Sequence, residues 1–129
     1  MGEGDPVVLV TEEERRPSAS TPGMQREEAV STDTTWGGFL RTDVGMVSGW
    51  HHHGEYESVI YVLSGALRME SGPGGTSVVD AEPGDFLFVP RGSIHRESNP
   101  ADVELTAVVV RSGRGRAVVN VGGPAPSDA

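Results

Sequence analysis

Apolar residues in this chain fall in short runs with a period of two rather than 3.6. Ser58-Val-Ile-Tyr-Val-Leu63, Asp85-Phe-Leu-Phe-Val89 and Val103-Glu-Leu-Thr-Ala-Val-Val-Val110 are rich in β-branched and aromatic side chains and lie close to glycine, proline or aspartate. Runs of this kind read as strands. The same criteria predict strands over 29–32, 36–42, 44–53, 58–63, 66–70, 76–79, 85–89, 103–110 and 117–121. Only Pro22-Gly-Met-Gln-Arg-Glu-Glu-Ala29 offers a helical turn, and Gly23 weakens it. Ser71-Gly-Pro-Gly-Gly75 supplies the positive φ of a hairpin turn, and Glu82-Pro-Gly-Asp85 is a tight turn with proline at its first corner. Short strands at near-regular spacing predict an all-β sandwich or small barrel.

The flanks differ from this regular middle. Val7-Val-Leu-Val10 is a short β-branched run, followed by an arm from Thr11 to Pro22 rich in Glu, Arg, Ser and Pro, and Gly122 to Ala129 contains no strand former. The expected division is an N-terminal strand and flexible arm over 1–28, a barrel over 29–121 and a disordered tail over 122–129. A length of 129 residues suits one core.

Composition removes several chemistries. With no cysteine, disulfides, thiolate nucleophiles and iron–sulfur clusters are excluded, and any metal must rest on nitrogen and oxygen. The ten basic residues are all arginine, which excludes a lysine Schiff base. A formal charge of −9 argues against nucleic acid or an anionic membrane as partner. No apolar run approaches a membrane span, and the acidic first residues lack a secretory pattern, so a cytoplasmic protein is expected.

All four histidines lie in two blocks, His51-His52-His53 and His95. Alternation along a strand sends His51 and His53 to one face and His52 to the other. Gly84, Pro90, Gly92, His95 and Asn99 fit the pattern G-x5-P-x-G-x2-H-x3-N at every fixed position. Gly45, His51, His53 and Gly65 fit G-x5-H-x-H-x4-E-x6-G, except that Ser58 stands where the pattern has glutamate. Over residues 45–99 the chain thus resembles the cupins. The resemblance implies a cupin-type double-stranded β-helix, or jelly-roll barrel, with one divalent ion (Fe, Zn, Ni, Mn or Cu) held by His51, His53 and His95. It also implies a homodimer, for which Val7–Val10 would be the strand that crosses to the neighbour.

Which side chain occupies the glutamate position bears on the chemistry. Three neutral imidazoles leave a divalent ion its full charge, whereas a carboxylate would halve it. Counting from Gly65 puts Ser58 inward with Ile60 and Val62, and Val59, Tyr61 and Leu63 outward. A β-bulge would instead turn Glu57 inward, and Glu55 is a third candidate. Phe86, Leu87 and Phe88 supply apolar wall, Trp36, Phe39, Met46 and Trp50 read as core, and Arg41, Arg68 and Arg96 are candidate clamps for a substrate carboxylate.

Three functions fit this reading. The first is a metalloenzyme that binds a small organic substrate through its oxygens, for dioxygenase-type or isomerase, cyclase or lyase chemistry. The second is a non-catalytic ligand-binding or sensing cupin, and the third a structural module with a vestigial cavity. Retention of all three histidines argues against the last. Glu55, Tyr56 and Glu57 are the candidate general bases that would separate enzyme from binder.

Overall fold

The computed structural model describes residues 4–18, 22–114 and 118–125. Among them the strands are β1 (Arg16–Pro17), β2 (Met24–Ser31), β3 (Thr35–Thr42), β4 (His51–His52), β5 (Glu57–Ser64), β6 (Leu67–Ser71), β7 (Ser77–Ala81), β8 (Phe86–Val89), β9 (His95–Ser98), β10 (Leu105–Ser112) and β11 (Val119–Asn120). They form two antiparallel sheets, one in the order β1-β2-β3-β10-β5-β8 and the other β11-β4-β9-β6-β7. This is the jelly-roll barrel that the strand pattern and the two motifs implied. No helix among the described residues is long and apolar enough to cross a membrane.

Alternation sorts each strand. On β10, Leu105, Ala107, Val109 and Arg111 are buried while Val108, Val110 and Ser112 are exposed. On β5 the buried set is Ser58, Ile60 and Val62, and Val59 and Leu63 are exposed. Register puts Ala107 opposite Val62, Val109 opposite Ile60 and Arg111 opposite Ser58. The interior is therefore apolar toward one end, where Val62, Leu67, Leu105 and Ala107 pack, and more polar at the other. Each fully buried leucine or valine there contributes about 1.5–3 kcal/mol.

The motif asparagine and glycines have structural work. Asn99 is buried, donates from Nδ2 to the carbonyls of Thr42, Asp43 and Val103, and accepts from the Ala101 amide, tying the β9–β10 loop to the end of β3. Gly65 has φ +74°, and a Cβ there would lie 2.8 Å from the Glu104 carbonyl oxygen and the Leu105 Cα. At this glycine the chain crosses from one sheet to the other, from β5 to β6.

Other local expectations are also revised. Residues 22–29 make no helical turn. From Met24 the chain pairs with β3 as part of β2, and ladder hydrogen bonds outweigh the helix propensity of glutamate and alanine. The strand expected over 44–53 shrinks to His51–His52, because Gly45 at φ +76° and a turn from Asp43 to Met46 break it, leaving only a bridge from Val47 to Ser98. Val7–Val10 forms no strand within the chain, and Val7 is fully exposed. Strand β9 was missed because its inward residues are polar. Residues 126–129 of the expected tail lie outside the described residues.

Gly65→Ala should lower stability by about 3 kcal/mol, through left-handed backbone strain and backbone overlap together. Gly84→Ala, at φ +96° with nothing within 4 Å of the added Cβ, should cost only about 1–2 kcal/mol. Urea unfolding of the two variants checks the order, and equal losses would remove the close-approach explanation.

Candidate metal centre

The polar end of the barrel gathers the motif histidines. His51 on β4 pairs directly with His95 on β9, and His53 follows β4 by one residue. All three are buried, and their ligating nitrogens lie within 4.8 Å of one another. The rings are 4.4–5.1 Å apart, centre to centre. His52 is set apart, its Nδ1 accepting from the Gly54 amide at 3.0 Å.

Two of the rings are oriented by the same device. His51 Nδ1 is 3.0 Å from the Gly49 carbonyl oxygen, and His95 Nδ1 is 2.9 Å from that of Ser93. A carbonyl only accepts, so each Nδ1 carries the proton and each Nε2 offers its lone pair. This is how backbone carbonyls set the tautomer of metal-binding imidazoles. His51 Nε2 is buried without a hydrogen-bond partner. Converging imidazoles with one such unsatisfied nitrogen fit a borderline divalent ion.

Ser58, not Glu57, faces this space. It is buried, its Oγ lacks a partner, and the irregularity in β5–β10 pairing lies at the far end of the strand, between Thr106 and Ala107. A carboxylate does enter, from a position that motif spacing did not indicate. Glu97 follows His95 by two residues on β9, is 5% exposed, and places Oε2 3.4 Å from His51 Nε2. Alternation from His95 was the signal that could have found it.

Among the described residues, the arginines buried in the interior are Arg26 and Arg111. Arg41 instead pairs with Glu27 and Glu104, Arg68 with Asp80, and Arg96 with Glu70 while lying over the Trp50 ring. Arg26 was hidden by the helical reading of 22–29, and Arg111 lies one residue past the expected strand end. Of the apolar wall, Leu87 packs on the core while Phe86 and Phe88 are 69% and 59% exposed.

Electrostatics follow from this enclosure. Burial opposes the charged forms of both Glu97 and His51, yet each stabilises the other. Glu97 is held far below the usual carboxylate range by His51, His95 and Arg26, and His51 is raised by Glu97 and the Gly49 carbonyl. For His95 burial dominates and its pKa falls. Burial and neighbouring Arg26 push Arg111 down to about 10.

Two cavities border these residues. A small one of about 20 Å³, bordered by His53, Ser58, His95, Glu97 and Arg111, has space for one water. A larger one of about 450 Å³ is lined by Met24, Arg26, Met46, Ser48, His51 and Asn120, and its exposed rim includes Pro22 and Val47. That volume suits a small organic ligand. Arg26 borders both cavities. Neither is bordered by Glu55, Tyr56 or Glu57.

The Cupin domain family model matches residues 38–111, more than half of the chain. The chain is a cupin. Among solved structures it is similar to KdgF from a Halomonas species (TM-score 0.69, 21% identity, 84% of this chain and 96% of that one). The polyketide cyclase RemF from Streptomyces resistomycificus aligns with TM-score 0.72 and 20% identity over 89% and 85% of the two chains. A predicted oxalate decarboxylase from Thermotoga maritima aligns with TM-score 0.68 and 19% identity over 81% and 98%. At these identities the likeness is one of fold. No curated protein matches the sequence.

His51→Ala and His95→Ala should each abolish stoichiometric uptake of a divalent ion, whereas His52→Ala should keep most of it. Equilibrium dialysis against zinc measures all three, and equal losses would mean that alternation misassigns the ligands.

Proposed function

We propose that this cupin is a metal-dependent enzyme for a small organic anion, with His51, His53 and His95 holding one divalent ion. The observation that carries the reading is the cluster of three buried imidazoles, of which His51 lines a 450 Å³ cavity together with Arg26. Bound there, the ion would supply Lewis-acid polarisation of substrate oxygens or, if redox-active, activation of dioxygen. Arg26 offers a planar donor set for a carboxylate or enolate oxygen. Met24 and Met46 give the cavity adaptable apolar walls. Similarity to a polyketide cyclase and a predicted oxalate decarboxylase supports catalysis over simple ligand binding.

Elemental analysis of untagged protein should find one divalent ion per chain. Iron that consumes dioxygen only with a candidate acid or thiol present selects the dioxygenase branch, and zinc selects isomerase, cyclase or lyase chemistry. Small carboxylates should raise the melting temperature of the loaded protein, and Arg26→Gln should weaken their binding at least about tenfold. Binding without turnover of any acid would favour the ligand-binding alternative, and absence of metal would end the reading.

A second copy of the chain is the partner we propose. Val59, Leu63, Phe86, Phe88, Val108 and Val110 expose one apolar outer sheet face, Val10 borders a cleft with Val108 and Val110, and Val7, Val8 and Leu9 before it are exposed as well. Sedimentation should show a dimer that becomes monomeric when residues 1–20 are removed. A dimer unchanged by that truncation would exclude strand exchange.

A further inference from the structure

We infer that Glu97 is a fourth ligand of the metal centre, supplying from β9 the carboxylate that the first motif places on β5. The inference rests on the metal-binding reading above and specifies its ligand set.

The geometry around His51 carries it. Because Nδ1 is committed to the Gly49 carbonyl, the neutral ring turns a lone pair toward Glu97 Oε2, 3.4 Å away. Two acceptors face each other in a buried space, and no hydrogen bond satisfies the nitrogen. A cation shared between its members, a proton or a metal ion, makes such a pair favourable, and a metal ion would also take up the lone pair that His95 offers. Donors about 2.0–2.2 Å from one ion, at angles between octahedral and tetrahedral, are separated by about 3.0–3.4 Å. The observed separation falls within that edge length.

Strand geometry explains why the carboxylate can change strands. His51 is opposite His95, and Glu97 is two residues farther along the same inward face of β9. Its side chain therefore reaches back to His51 on the neighbouring strand and borders the same small cavity as His53 and His95. The position it replaces shows the complementary deficit, since Ser58 is buried, faces the same small cavity and leaves Oγ without a partner. Arg26 and Arg111 border that cavity too, so a carboxylate is compensated there while the site is being assembled.

The test uses full-length protein freed of metal and loaded with cobalt(II) alone. Affinity is read by competition with a chelator, ligand geometry by the visible d–d bands, and carboxylate ligation by the infrared difference between loaded and metal-free protein. In the wild type a carboxylate stretching band should shift on loading. Glu97→Gln should lose that shift, change the d–d bands and weaken cobalt binding by more than about 100-fold, beyond the 10–100-fold typical of residues that only orient a ligand. Adding Ser58→Glu to Glu97→Gln should recover at least about tenfold of the loss, because it restores a carboxylate from β5. Cobalt binding by the wild type without a carboxylate shift overturns the inference while leaving the three-histidine site intact. So does an unchanged d–d spectrum in Glu97→Gln. Failure of the wild type to bind cobalt, zinc or iron overturns the metal reading itself. Should Glu97→Gln not fold, the wild-type infrared difference decides alone.

Discussion

The single register pair between His51 and His95 is the contact on which the site depends. Strand side chains reverse face at each residue, so a slip of one position would turn both imidazoles, and Glu97 with them, away from the interior. Strand β4 is only two residues long, held by β9 on one side and by Val119 and Asn120 of β11 on the other. The backbone adds a second restraint. On both strands a carbonyl two residues upstream fixes the imidazole, so ring orientation depends on main chain rather than on other side chains.

A polar interior of this size is costly unless its members satisfy one another. The Glu97 carboxylate does this for His51, Arg26 and Arg111 at one end of the barrel, offsetting part of the repulsion among them, while Leu67, Leu105 and Val62 fill the other. The two halves are coupled through continuous strands. The row on β10 runs from Leu105 to Arg111 and that on β5 from Val62 to Ser58, so the core that stabilises the sheets also aims the site.

How much of this was legible from sequence depended on which signal each element carried. Strands β5, β8 and β10 turn mostly apolar residues inward at alternate positions and were visible from periodicity alone. Strand β9 buries His95 and Glu97 instead, so hydrophobic alternation had nothing to detect. Motif spacing found His95 but had no place for a carboxylate two residues later. Strand β2 was obscured in the opposite way, since its glutamates and alanine favour helix locally and only pairing with β3 makes them extended. Loss of Arg26 from the sequence reading followed from that misassignment. The placement of Ser58 was readable because Gly65 anchors the count, and the irregular pairing lies beside that anchor rather than between Ser58 and the histidines.

The larger cavity reaches His51 from one side, whereas the space on the side of Ser58 and Arg111 admits only a water-sized group. A ligand seated on Arg26 would therefore approach His51 from the wide side alone, with the closed end of the barrel behind the histidines.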